Sequence, residues 1–309
     1  MNPRVAAISV DLDEIPCYCG IHGLVPPDQA AANAIYERAI PRLEQLFEEE
    51  NIPATFFVIG RDLASPGNPA RIQRLHNAGH EIANHSQNHL YDMSRRGPET
   101  IRSEVLEAID GIGNITGAAP VGFRAPGYTI NDAMFATLSE LGVEYDSSVF
   151  PCPTYYGAKT LAIGAIRARG RRSQSIVDDP RMLTAPADPY RVGTPYWRRG
   201  DGLLELPIGV TRAAFGQLPY IGTSVVLSGD RGATWLSKMT AGRPLVNLEL
   251  HGIDLADVKE DGLEFLAPHQ PDLKRSAQEK SSALRAAIRT LRDSGYEFVT
   301  LADAASRFA

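Results

Sequence analysis

Only three cysteines occur in 309 residues, at positions 17, 19 and 152, so at least one thiol has no intrachain partner. That excludes a disulfide-built secreted scaffold and fits a reduced, cytosolic setting. No apolar run approaches the roughly 20 residues needed to cross a bilayer, so no integral membrane segment is expected. Neither charge sign dominates: 31 Lys and Arg against 37 Asp and Glu give a net charge of −6, which supplies no electrostatic case for nucleic acid. Internal repeats, low-complexity tracts and clear linkers are also missing, and one domain over 1–309 is the simplest organisation. The opening apolar stretch, Val5–Val10, is too short for a signal h-region and lacks a cleavage site. It reads as a first core strand, and the expected location is cytoplasmic.

What is present alternates between two periods. Val5–Val10 is a buried-type strand, and Asp28–Glu50 has helical spacing interrupted at Pro41. A strand at Ala54–Ile59 follows, then a helix at Pro69–Ala78 stopped by Gly79, and a strand at His80–Ala83. Beyond these come a helix at Glu99–Ile112, a strand at Val121–Arg124, a helix at Asn131–Leu141 and a strand at Glu144–Asp146. After residue 200 the pattern predicts strands at Leu203–Leu206, Leu245–Leu250 and Glu297–Leu301, with a helix at Ala277–Asp293. Strands separated by helices imply βαβ units and a parallel sheet, hence an α/β fold. Residues 151–200 differ, being rich in Pro, Gly, Tyr, Trp and Arg, and are predicted to be an irregular insertion. Its aromatics point to an ordered lid or substrate wall; the alternative is a solvated loop. Its basic residues, including Arg167–Arg172, read as a solvated face.

The chemistry concentrates at predicted strand ends. His85 and His89, four apart, follow the strand His80–Ala83, and one helical turn there would put both imidazoles on one side. Such pairs often decorate a surface, so the acidic partners matter. Asp11 and Asp13 end the first strand two residues apart and share a face if the chain stays extended. Two imidazoles and one carboxylate make an open, three-ligand metal site of the catalytic rather than the structural kind, leaving the second carboxylate free as a base. Which aspartate does which stays open, and Glu14 should point away. A second pair, His76 and His80, flanks the helix stop at Gly79 and loses its phase. Cys17 and Cys19, with no second pair, read as loop packing. Arg124 ends a buried strand, where it would orient a carboxylate. Gly127 in the following turn permits close approach to a backbone N–H, as an oxyanion hole needs. His251 closes a late strand, where a lone histidine is more often structural than catalytic.

In order, Ile8-Ser-Val-Asp-Leu-Asp13, Ala54-Thr-Phe-Phe-Val58, Ala78–His89, the Arg124 turn, Tyr145-Asp-Ser-Ser148, His251 and Gly295–Leu301 resemble the polysaccharide deacetylase family, also called carbohydrate esterase family four. The resemblance implies a distorted parallel (β/α) barrel with fewer than eight regular strands, and a metal-dependent amide or ester hydrolase. It makes His85 and His89 metal ligands with Ser86 in support, Arg124 the holder of the catalytic aspartate, the N–H of Gly127 part of the oxyanion site, and His251 the general acid, oriented by Asp146. The family's commonest opening has two adjacent aspartates, whereas Leu12 separates them here. The spaced form looks like the branch with atypical peptidoglycan deacetylase-like, cyclic imide hydrolase and lipid-linked sugar deformylase members, and on that likeness Asp11 is the base and Asp13 the ligand. The implied cofactor is a divalent metal, zinc in the first instance. The implied partner is a small N-acylated amino-sugar-like substrate, with a homo-oligomer left open. Cyclic amide or imide hydrolysis and lipid-linked sugar deformylation are the enzymatic alternatives, and an inactive carbohydrate-binding scaffold the non-enzymatic one.

Overall fold

The computed structural model describes residues 4–27, 29–212 and 217–309. In chain order its strands are β1 (Val5–Asp11), β2 (Thr55–Val58), β3 (Glu81–Asn84), β4 (Gly122–Phe123), β5 (Tyr145–Asp146), β6 (Tyr190–Val192), β7 (Arg199–Glu205), β8 (Leu245–His251) and β9 (Glu297–Phe298). The helices are α1 (Ile15–His22), α2 (Gln29–Ala32), α3 (Ile40–Glu50), α4 (Asn68–Asn77), α5 (Pro98–Thr116), α6 (Asp132–Glu140), α7 (Pro153–Ala168), α8 (Gly222–Thr240), α9 (Ala277–Asp293) and α10 (Leu301–Phe308).

Every residue of β1 is buried, as suits a parallel strand covered on both faces. The sheet runs β6-β7-β5-β4-β3-β2-β1-β8, with β9 also on β1. All pairings are parallel except β6 with β7. The sheet curls into a distorted (β/α) barrel with fewer than eight regular strands; β4, β5 and β9 are two residues each. Alternation along β1 divides its side chains. Ala6, Ile8, Val10 and Leu12 join the outer core with Phe47, Phe56, Leu248, Leu250, Leu284 and Ile288. Val5 and Ala7 instead pack with Phe57, Ala83, Tyr145, Leu204 and Leu245, closed off by Leu301, Ala304 and Ala305 of α10. Ser9, Asp11 and Asp13 continue that inner face towards the C-terminal strand ends. Register aligns those ends: Asp11 is opposite Phe57 and His251, Asn84 opposite Phe123, and Asp146 opposite Phe123 and Glu205.

Three sequence expectations change. Asp28 lies outside the described residues; from there the long helical pattern is a short α2, a π-helical turn over Ile35–Ala39, and α3, which continues directly from that turn with Pro41 as its second residue. The 151–200 segment is not irregular throughout: α7 occupies its start, and β6 with the first two residues of β7 joins the sheet at its end. In α7 only Ile166 is buried and two glycines interrupt the run, so no apolar face announced the helix. Finally, α1, α8 and α10 formed where no helix was expected.

Candidate metal and catalytic site

Leu12 is fully buried in the outer core and donates its N–H to Phe57 O (3.0 Å), which keeps the chain extended past β1. Asp11 and Asp13 therefore both enter the barrel. Glu14 turns away, accepting from the backbone N–H groups of Ile15, Ile35 and Tyr36 at 3.0, 3.3 and 2.8 Å.

His85 and His89 do converge, but not through a helical turn. Residues 85–89 form a loop in which Ser86 and His89 have positive φ (65° and 55°). The Ser86 hydroxyl accepts from His89 N–H (3.0 Å), while Asn84 Oδ1 accepts from Ser86 N–H (2.8 Å). Glu104, buried on α5, holds the loop from outside, accepting from Asn88 N and Nδ2 at 2.8 and 2.7 Å. Neither Asn84 nor Glu104 was singled out from sequence. Glu104→Ala is expected to loosen this loop and weaken metal retention by about 10–100-fold, the usual range for residues that orient ligands; competition against a chelator measures it.

Asp13 Oδ1 lies 3.3 Å from His85 Nε2 and 3.2 Å from His89 Nε2. All three side chains are buried, and among the described residues they form one group whose ligand atoms lie within 4.8 Å of each other. His85 Nδ1 is 2.8 Å from Arg124 O, so a proton there leaves the Nε2 lone pair facing Asp13. Asp13 Oδ1 and both nitrogens of His89 have no hydrogen-bond partner despite burial. Unpaired buried ligand atoms aimed at a common point fit a divalent cation, and one oxygen with two nitrogens suits zinc. Burial opposes ionisation of Asp13, yet the neighbouring imidazoles outweigh it and hold its carboxyl well below the ordinary range. Burial lowers the His89 pKa, whereas at His85 the Asp11 and Asp13 carboxylates together overcome burial and raise it.

Arg124 is fully buried. Its Nη1 donates to Asp11 Oδ1 (2.7 Å) and its Nη2 to the Ser9 and Ser147 hydroxyls (2.9 and 2.8 Å). Asn247 joins Ser9 and Ser147 at 2.9 and 3.0 Å, completing an inner polar layer beneath the acidic one. Asp11 Oδ2 stands 3.7 Å from His85 Nε2. The Gly127 turn follows, with φ of 60° at both Gly127 and Tyr128. A Cβ at Gly127 would meet the Tyr91 ring at 3.0 Å, and that ring packs edge-on against His89 with centroids 4.6 Å apart. Helix α7 backs the turn: Lys159 Nζ donates to Gly127 O (2.8 Å), and Tyr155 packs on Tyr128 and Phe150.

His251 sits across from this turn, its Nε2 3.5 Å from Tyr128 Oη. The expectation that Asp146 orients His251 is corrected. Asp146 lies at the end of β5, where its oxygens accept from Ser148 N and Oγ (2.9 and 2.8 Å) beside Glu205. Ser148 Oγ in turn accepts from Ala125 N–H (2.8 Å), so Asp146 braces the Gly127 turn instead. The carboxylate beside His251 Nδ1 is that of Glu249, at 2.8 Å and fully buried. It lies two residues upstream on the same strand, and the polar alternation Asn247, Glu249, His251 within an otherwise apolar β8 was the signal for it. Burial alone would lower the His251 pKa; the Glu249 charge outweighs it and raises it well above the usual value.

The remaining candidates do not join the site. His80 packs between Phe47 and Phe56 and accepts from Ala54 N–H at Nδ1 (3.1 Å). The three cysteines are free and buried; Cys17 Sγ accepts from Arg61, and neither Cys17 nor Cys19 falls in a ligand group among the described residues.

Residues 31–145 match the family described as polysaccharide deacetylase. The chain is 35% identical over 104 residues to a peptidoglycan-N-acetylglucosamine deacetylase of Bacillus cereus, covering 34% of this chain and 47% of that one. It is 26% identical over 147 residues to a peptidoglycan deacetylase of Helicobacter pylori, covering 47% and 49%. The chain thus spans about half the length of these curated relatives. The crystal structure of the Bc1960 peptidoglycan N-acetylglucosamine deacetylase has the same fold, with a TM-score of 0.53 at 14% identity over 98% of this chain and 88% of that one. The sequence match over residues 31–145 and the shared barrel agree in their likeness to the polysaccharide deacetylase family.

Proposed function

We propose that this protein is a metal-dependent hydrolase that removes an acyl group, acetyl in the first instance, from the nitrogen of an amino-sugar substrate. The observation that carries the reading is one geometry: Asp13, His85 and His89 converge on a point flanked by Asp11 on Arg124 and by His251 on Glu249. The deacetylase names of the relatives support the same chemistry.

A divalent ion held by Asp13, His85 and His89, zinc by the donor set, would supply Lewis acidity and acidify water at the site. Asp11, oriented by Arg124, takes the proton of the attacking water at Oδ2. The N–H of Gly127 donates to the developing acyl oxyanion. His251 delivers a proton to the departing nitrogen as the C–N bond breaks, releasing acid and amine. Three free, buried cysteines suit a reducing compartment, and the proposed location is cytoplasmic. No helix of the described residues is long and apolar enough to cross a membrane.

The test is acetate release from a panel of N-acetylated amino sugars, their oligomers and peptidoglycan fragments. Activity is expected to vanish on chelation and return with Zn2+. A zinc-loaded protein that releases no acetate from any member overturns the reading, and one that opens dihydrouracil or hydantoin instead moves it to cyclic amide hydrolysis.

A further inference from the structure

Beside the Asp13 group lies a second set of potential ligands. One donor atom each from Asp11, Glu249 and His251 falls within 4.8 Å of the others. Glu249 is fully buried, and neither of its carboxylate oxygens has a hydrogen-bond donor. Its Oε1 is 2.8 Å from His251 Nδ1, but without the alignment of a hydrogen bond. The same signature marks the first group, where Asp13 Oδ1 approaches two imidazole nitrogens without bonding either. A buried carboxylate that has no hydrogen-bond donor and only the off-axis His251 ring beside it is under-satisfied, and a cation between the three side chains relieves that cost.

We propose that Asp11, Glu249 and His251 form a second divalent-cation site, weaker than the first, and that filling it inhibits the enzyme. Two carboxylates and one imidazole suit zinc or cobalt. The site is weaker because the Arg124 guanidinium already holds Asp11 Oδ1 at 2.7 Å, and because the first ion's ligands adjoin it: Asp11 Oδ2 is 3.7 Å from His85 Nε2. His251 binds metal as neutral imidazole, so a proton on the ring leaves to solvent as the ion enters. Inhibition follows because the ion occupies the groups assigned as base and acid. That consequence rests on the hydrolase reading above; the binding itself does not.

Equilibrium dialysis of the full chain against Zn2+ or Co2+, without substrate, tests the site. One equivalent is expected to bind at low free metal and a second at higher concentration. Glu249→Gln and His251→Gln are each expected to keep the first equivalent, which also reports that they fold, and to lose the second. With an acetylated substrate, activity is expected to fall by about 10²-fold or more as the second equivalent loads, the scale of lost acid–base catalysis. Binding that stops at one equivalent, or a second equivalent that persists in both variants, overturns the site. Loading of the second equivalent with full activity retained overturns its inhibitory role. A second equivalent that behaves as expected in a protein that hydrolyses nothing at one equivalent keeps the site and sinks the hydrolase reading.

Discussion

Replacing Asp11 with asparagine is expected to lower kcat/KM by about 10²–10⁴-fold while leaving the first metal in place, the cost of a lost general base. Asp13→Asn is expected to fail differently, losing the metal and with it all metal-dependent activity. The asymmetry comes from position along one strand. Asp13 Oδ1 is within 3.3 Å of both imidazoles, whereas Asp11 Oδ1 is held by Arg124 and its other oxygen stands 3.7 Å from only one of them. Metal content and kcat/KM measured on both variants decide the matter: a metal-free Asp11→Asn beside a metal-loaded Asp13→Asn would exchange the two roles. Arg124→Gln should behave as a third kind of variant. It leaves a buried carboxylate without its partner, which typically costs about 3–5 kcal/mol of stability, so it should show up first as a lower Tm.

What could be read from the sequence followed the two-residue period of the strands. Asp11 and Asp13 announced themselves because Leu12 between them is apolar, and the inward face they share with Ser9 is the barrel interior. The parallel sheet was legible for the same reason, since Val5–Val10 and Leu245–Leu250 carry apolar residues on both faces. The period also held the partner of His251, because Glu249 precedes it by two residues on β8. Asp146, the carboxylate expected in that role, instead braces Ser148 at the end of β5. Spacing was less reliable where the backbone left regular structure. The i, i+4 spacing of His85 and His89 suggested a helical turn, but the bridge is a loop with two left-handed residues, fixed locally by Ser86 and Asn84 and from α5 by Glu104. Neither side-chain caps within a loop nor a single brace from another helix leaves a periodic trace. Helix α7 was missed on similar grounds: its role is to back the Gly127 turn with Lys159 and Tyr155, and most of its surface stays in solvent.

The second large effect concerns the acid. His251→Gln is expected to reduce kcat by about 10²–10⁴-fold on substrates with a poor amine leaving group. Glu249→Gln should act through pH as well as rate. Burial favours the neutral imidazole, and only the carboxylate beside Nδ1 reverses that preference, raising the pKa well above the ordinary histidine value. In the native enzyme, therefore, the acid form persists through neutral pH and is lost only as pH rises through that elevated value. Removing the charge while keeping the shape lets burial prevail, so the alkaline limb of kcat/KM should move towards acid. Stability follows the same sign. A raised native pKa contributes stability that is fully present below about pH 6.5, the unfolded histidine value, and disappears as pH climbs through the native one. Glu249→Gln should accordingly lose most Tm in mildly acidic buffer and least in alkaline buffer. A merely structural Glu249 would instead give a pH-independent loss of activity with the alkaline limb unmoved, and that outcome would leave His251 without its proposed partner.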